Sequence, residues 1–347
     1  MSGADSAESA LRPFLSVVIP TYNRCDSLRV TLNALAAQEP VPGGVEVLVV
    51  SDGSSDGTDA WLREWAVAEH WLEARPLFQA NAGPARARNH GVREARGDVI
   101  IFTDDDVEPL PGYLLEHAAR HRADEKLVLI GPMSRDPRRR PREPVWIAWE
   151  HAMLQKQYDS WQQGVWAEDD CGPHNFYTGN ASVRRAHVME VGGFDEGFTR
   201  QEDVELAMRM ERVCGVHFRF DAKLAALHRP LRTFEGWLRV PYAYGQLDVV
   251  RAERGDASWD VVRESYRSRH RATRFLADVA LPGETRGNLL RAALRRTAGA
   301  LHALPTAPTE SIAMFALSAL YNQRYLEGAR DQLGSWAALR DVVHGNG

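Results

Sequence analysis

From Phe14 onward the chain alternates short apolar runs with longer stretches in which apolar residues recur every three or four positions. Leu15 to Ile19 (LSVVI) is rich in β-branched residues and predicts a buried strand, which Pro20 ends. Asp26 to Ala37 carries Leu28, Leu32, Leu35 and Ala36 at helical spacing. Val45 to Val50 (VEVLVV) predicts a second buried strand, and Asp56 to His70 a helix with Asp56 or Thr58 as N-cap. A weaker strand falls near Leu72 to Phe78, and a helix from Pro84 to Ala95 has proline in its first turn. Val99 to Phe102 is the next strand and runs directly into Asp104, Asp105 and Asp106.

Strands alternating with helices at these intervals predict an α/β fold with a Rossmann-like, doubly wound parallel sheet. Ligands of such sheets bind outside the carboxyl ends of the strands. Three polar groups fall at those ends: Thr21 to Asn23, Ser51 to Gly53, and Asp104 to Asp106. The Pro/Arg-rich stretch Arg135 to Arg142 reads as an exposed loop. Trp146, Trp149, Trp161 and Trp166 follow, regular pattern returns around Tyr177 to Phe220, and the chain from Leu231 to Val343 is mainly helical, including Leu289 to Leu304 and Ser311 to Leu326. The expected organisation is therefore a tail over 1–13, a catalytic domain over 14–230 and a helical region over 231–347.

Composition narrows the classes. A hydrophobic fraction of 44% and a charged fraction of 26% are those of an ordinary globular protein. A formal charge of −5 argues against a nucleic-acid partner. Cys25, Cys171 and Cys214 are far apart and odd in number, which suits a reducing compartment and argues against a disulfide framework or a cysteine zinc site. No stretch reaches the roughly 18 apolar residues of a membrane span, and Met1 to Pro13 lacks the basic and apolar regions of a signal peptide. A cytoplasmic protein is expected.

The acidic run carries the strongest chemistry. Three successive carboxylates repel one another unless a cation or donors compensate them, and Mg²⁺ or Mn²⁺ favours such oxygen ligands together with substrate phosphates. By itself the run is equally a solvated turn. Asp52 leaves a buried strand into Gly53 and Ser54, where it could accept from a base N–H or a ribose hydroxyl, or merely shape a turn. Asn81 to Asn89 (NAGPARARN) opens a helix with Gly83, Pro84, Arg86 and Arg88, a setting for a diphosphate or a solvated basic face. After Gly192 to Phe198 (GGFDEGF), Glu202 and Asp203 begin a helix, as general base or as N-terminal charge; for Glu205 the second reading is preferred. His228 is a lone histidine unless the fold brings it to the aspartates.

In this order SVVIPTYNR, VVSDGSSDGT, NAGPARARN, IIFTDDD, TGNASVRR, GGFDEGF and QEDVEL resemble the family 2 glycosyltransferases of GT-A type, over Leu15 to Pro230. The resemblance implies that Tyr22 stacks on the nucleotide base, with backbone near Pro20 and Thr21 in contact, and that Asp52 recognises the base, commonly uracil. It places Gly83 and Arg88 along ribose and diphosphate and makes Asp104 to Asp106 the metal motif. Asp106 is then the main ligand of Mn²⁺ or Mg²⁺, Asp104 or Asp105 contacts ribose or metal-bound water, and His228 is a third ligand; the triplet satisfies two registers. Asp203 becomes the base of an inverting displacement and Glu202 orients the acceptor. The implied donor is a nucleotide sugar, UDP-linked, and the acceptor a glycan, a lipid-linked or a small molecule.

The Gln-x-x-Arg-Trp motif of processive members is missing, so one sugar per event is expected. A sugar nucleotidyltransferase would need a Gly-rich basic loop where Thr21 to Arg24 stands. A non-catalytic nucleotide-sugar-binding protein would not need Glu202 and Asp203. The tryptophans with Trp237, Tyr242 and Tyr244 offer either sugar stacking or packing. The helix with Arg291, Arg295 and Arg296 beside leucines offers peripheral membrane contact or ordinary bundling. A homodimer is compatible with an exposed helical face.

Overall fold

The computed structural model describes residues 14–139, 143–162, 171–198, 200–255, 258–280, 284–302 and 307–345. The expected tail over 1–13 and Trp166 lie outside them. The chain forms two compact units: one runs up to Arg138 and includes Met153–Pro230, the other joins Arg139–Ala152 to Leu231–Gly347.

In the first unit the strands are β1 (Leu15–Thr21), β2 (Val45–Asp52), β3 (Glu73–Gln79), β4 (Val99–Thr103), β5 (Val107–Pro109), β6 (Leu127–Ile130), β7 (Met133–Arg135), β8 (Asn180–Arg184), β9 (His217–Phe220) and β10 (Ala226–His228). Its helices are α1 (Cys25–Ala36), α2 (Thr58–Val67), α3 (Pro84–Glu94), α4 (Tyr113–Ala123), the later part of α5 (Val145–Gln162), α6 (Arg185–Glu190) and α7 (Glu202–Cys214). Helix α2 is shorter than the expected Asp56 to His70. Its N-cap is Gly57, in the left-handed region at φ 91°, rather than Asp56 or Thr58, and Asp56 just outside accepts from the Thr58 amide at 3.1 Å.

The central sheet has the order β3-β2-β1-β4-β8-β6-β9. Pairing is parallel from β3 to β4 and again between β6 and β9. Strand β8 is antiparallel to both neighbours, so the sheet is mixed where an all-parallel one was expected. The reason lies in the connection: the chain enters β8 beside Thr103, the carboxyl end of β4, and leaves beside Val99. Val18, Leu48, Ile100 and Phe102 pack on one face of the sheet, and Val17, Ile19, Val47 and Ile101 on the other. Burial on both faces explains the unbroken apolar runs. A small sheet, β5-β10-β7, sits beyond the end of β4 and pairs His228 with Val107.

The second unit contains the start of α5, then α8 (Phe234–Arg254), α9 (Asp260–Arg267), α10 (Arg271–Ala280), α11 (Glu284–His302), α12 (Ala307–Leu333) and α13 (Trp336–His344). Trp149 and Trp237 are buried in its core with Phe234, Leu317 and Leu320. Trp149 Nε1 donates to Ser318 Oγ at 2.8 Å, and the two indoles meet edge to face. These rings are consumed by packing rather than presented to a sugar. Arg295 lies over the Phe234 ring, 4.5 Å from its centroid, while the Arg291 side chain is outside the described ones. Among the described residues no helix is long and apolar enough to cross a membrane.

Candidate active site

Strand β4 delivers the three aspartates to one place, but their carboxylates diverge. Asp104 Oδ1 takes Arg88 Nη2 at 2.8 Å, and its side chain stays 36% exposed. Asp105 turns inward: its Oδ2 accepts from Thr21 Oγ1 at 2.7 Å, and its carbonyl accepts from Thr31 Oγ1 at 3.0 Å. Burial, then the neighbouring Asp106, pushes its carboxyl up to about 7. Asp106 Oδ2 meets Arg24 Nη1 at 2.8 Å, and its Oδ1 lies 3.7 Å from His228 Nε2. The Arg229 amide donates to the Asp106 carbonyl at 2.8 Å, which keeps the end of β10 beside the acidic run.

Two loops at neighbouring strand ends brace each other. Asn23, in the left-handed region at φ 53°, accepts from the Ser55 amide at 2.7 Å, while its own amide donates to Ser54 Oγ at 3.1 Å. Tyr22 projects from this brace with half its surface exposed, and Pro20 precedes it at the end of β1. Asp52 is buried, and its carboxylate accepts from Gln79 Nε2 at 2.8 Å, the Ala82 amide at 2.9 Å and the Gly83 amide at 2.8 Å. It therefore shapes the loop that leads into α3, a task the sequence did not disclose beside the expected base contact. Gly83 caps α3 directly before Pro84.

Arg88 ties this region to α7. Its guanidinium is buried, and Nη1 lies 3.1 Å from Glu202 Oε1 while Nη2 holds Asp104. Two carboxylates about one guanidinium keep it charged despite desolvation. Asp203 follows in the first turn of α7, and the Val204 amide donates to its Oδ1 at 2.9 Å. Burial, reinforced by Glu202, raises the Asp203 carboxyl to about 6. Glu205 instead pairs with Arg209 one turn on.

Three participants were not singled out from sequence. Arg24 neutralises Asp106, and its only signal was its place directly after the first strand's loop. Gly179 precedes β8, and a Cβ there would overlap Met133 Sδ and lie 3.2 Å from Asp104 Oδ2. A side chain there would require Met133 to move and the Asp104 carboxylate to give by a few tenths of an ångström. Asn89 clamps the GGFDEGF turn: its Nδ2 donates to the Phe194 carbonyl and its Oδ1 accepts from the Phe194 amide, each at 2.8 Å. A Cβ on Gly193 would stand 2.5 Å from that Oδ1.

Asp106 Oδ1 and His228 Nε2, 3.7 Å apart, are an oxygen and a nitrogen donor of the kinds divalent cations accept, while the Asp104 carboxylate is turned to Arg88. A sequence model described as glycosyl transferase family 2 matches residues 16–192. An uncharacterized glycosyltransferase, YfnE of Bacillus subtilis, is 28% identical over 256 residues, covering 62% of this chain and 64% of the relative. Validoxylamine A glucosyltransferase of Streptomyces hygroscopicus subsp. limoneus is 34% identical over 220 residues, covering 57% of this chain and 48% of the relative. The chain thus spans less than two-thirds of the length of these relatives. Among solved structures, the mannosyltransferase PcManGT from Pyrobaculum calidifontis, in complex with GDP-Man and Mn²⁺, aligns with a TM-score of 0.58 at 20% identity, over 90% of this chain and 87% of that one. S. aureus TarS 1-349 with UDP-GlcNAc aligns at 0.51 and 16% identity, over 93% and 92%. Both likenesses concern the fold.

Proposed function

The chain belongs to glycosyl transferase family 2 and has the GT-A fold, and from that premise we propose that it moves one sugar from a UDP-linked donor to a hydroxyl acceptor with inversion. The observation that carries this reading is the Arg88 bridge, which ties Asp104 at the end of β4 to Glu202 at the start of α7. A donor-side carboxylate and the acidic pair Glu202-Asp203 thereby share one cation.

Tyr22 offers an open ring face for the base, with the backbone at Pro20 and Thr21 alongside. Asp52 supports base recognition by fixing the Ala82-Gly83 backbone, and the amino end of α3 faces the diphosphate with its positive dipole end. Asp104 takes the ribose edge. Asp106 and His228 would hold Mn²⁺ or Mg²⁺, which when bound supplies positive charge to the departing diphosphate.

Asp203 is the base. Its carboxylate accepts the acceptor's hydroxyl proton as that oxygen bonds to the anomeric carbon and the bond from that carbon to the diphosphate oxygen breaks. A carboxyl at about 6 is largely ionised near neutrality and more basic than an ordinary aspartate. Glu202, held by Arg88, orients the acceptor.

The test is a thermal-shift panel of UDP, GDP and dTDP with and without Mn²⁺, joined to a transfer assay with a sugar-acceptor library. A nucleoside diphosphate should stabilise the protein only with the cation, and Asp106→Ala should remove that dependence. Absence of a cation-dependent shift with every nucleotide overturns the donor site. Asp203→Asn should bind donor yet lose transfer; preserved transfer removes Asp203 as base.

A further inference from the structure

At the opposite end of β4 from the aspartates, folding gathers donors that lie far apart in sequence. Helix α6 begins directly after Arg184, which pairs with Val99 at the start of β4. It carries His187 and Glu190 on successive turns, and Cys214 ends α7 beside them. One ligand atom from each residue, an imidazole nitrogen, a carboxylate oxygen and the thiol sulfur, lies within 4.8 Å of the other two.

The histidine is oriented as a ligand. Its Nε2 lies 2.9 Å from the Glu125 carbonyl, an acceptor only, so Nε2 carries the proton and donates. The lone pair is then on Nδ1, which is enclosed and lacks a hydrogen-bond partner. A backbone carbonyl that fixes the tautomer in this way is the usual support of a metal-bound imidazole. Cys214 is 94% buried by its 6% relative exposure, and its thiol makes only a long 3.7 Å contact with the His187 carbonyl besides its approach to Glu190. Glu190 is exposed and provides both the third donor and the way in from solvent.

We propose that His187, Glu190 and Cys214 bind one divalent ion of the zinc class, with water at the fourth position. Nitrogen, sulfur and carboxylate together favour zinc over Mg²⁺, whose preference is for oxygen alone. Burial and the Glu190 carboxylate push the Cys214 thiol up, so binding displaces its proton to solvent as the sulfur–metal bond forms. Lys126 Nζ, 2.6 Å from the Cys214 carbonyl, favours the resulting thiolate. The ion would staple α6 to the end of α7, whose first turn carries Glu202 and Asp203. The sequence argued against a cysteine zinc site because the three cysteines are dispersed; the fold recruits one of them to histidine and glutamate instead.

Co²⁺ titration of the full chain tests this, because a cysteine-bound cobalt gives a near-ultraviolet thiolate-to-metal charge-transfer band. The band should appear at one equivalent, persist in Asp106→Ala and vanish in Cys214→Ser. His187→Ala and the exposed, fold-neutral Glu190→Gln should each weaken Co²⁺ binding by about tenfold or more. A Co²⁺ spectrum without the thiolate band, or a band whose affinity is unchanged in Glu190→Gln and His187→Ala, overturns the site.

Discussion

Arg88 Nη2 stands 2.8 Å from Asp104 Oδ1 inside the fold, and the same guanidinium reaches Glu202 across 114 positions of sequence. Removing it leaves the largely buried Glu202 and the partly exposed Asp104 without their shared countercharge. Arg88→Ala should destabilise the protein by about 3 kcal/mol, the low end for a broken buried pair because Asp104 is partly exposed. Arg88→Lys keeps the charge but not the fork, and should recover stability better than transfer. Loss of transfer on the order of a hundredfold is expected from a misplacement of about 1 Å at either carboxylate. Urea denaturation and steady-state kinetics on both variants separate the two effects; equal transfer by Arg88→Lys and the parent enzyme would discard the bridge as a positioning device.

Asp203 sets a pH dependence whose sign follows from its raised carboxyl. The base must be ionised, so transfer should rise through about pH 6 and level off above it. Stability runs the other way. A carboxyl raised from 3.8 to about 6 binds its proton more tightly when folded, so its contribution diminishes as pH rises across that interval. Asp203→Asn should therefore gain up to about 3 kcal/mol at neutral pH while losing transfer. A kcat profile flat from pH 5 to 8 would contradict the assignment.

The sequence disclosed those parts of the fold whose partners are generic. LSVVI and VEVLVV are strands because both sheet faces bury them, and burial needs no particular neighbour. Strand β8 was harder to place, since its buried polar residues depend on distant groups: Ser182 Oγ lies 2.7 Å from both His117 Nδ1 and His121 Nε2. Asn180 Nδ2 donates to the carbonyls of Pro132 and Leu224. The same limit applied at the site. Type and order of residues nominated Asp104 to Asp106, but their separate surroundings arise from Thr21, Arg24 and Arg88, which reach them only in the folded chain.

Those surroundings give each aspartate a different expected part in the proposed site. Asp105 is hydrogen-bonded by Thr21, stands 3.8 Å from Arg24 and carries a carboxyl at about 7, whereas Asp104 and Asp106 form close pairs at 2.8 Å with Arg88 and Arg24. Asp105→Asn should retain cation-dependent nucleotide binding within about threefold, less than 1 kcal/mol. Asp104→Ala and Asp106→Ala should each lose more than about tenfold, or 1.4 kcal/mol. Isothermal titration with the best nucleotide of the panel decides it, and a loss at Asp105→Asn equal to that at Asp106→Ala would overturn that assignment. Thr21→Val, which strips the hydroxyl from Asp105, should cost about 1–2 kcal/mol in stability with a smaller effect on binding.

Gly179 tests whether the position of Asp104 is itself set by backbone packing. The chain enters β8 so close to that carboxylate that an added methyl group would lie 3.2 Å from Asp104 Oδ2 and overlap Met133 Sδ. The methionine end is flexible and yields at small cost. The carboxylate is less free, since Arg88 holds its other oxygen. Gly179→Ala should therefore cost about 1–2 kcal/mol of stability by overpacking, yet impair transfer beyond what that loss explains. The double variant Gly179→Ala with Met133→Ala relieves the first clash but not the second. If stability returns while the deficit in transfer remains, the close approach to Asp104 is functional. If both return together, Gly179 serves the packing of Met133 alone.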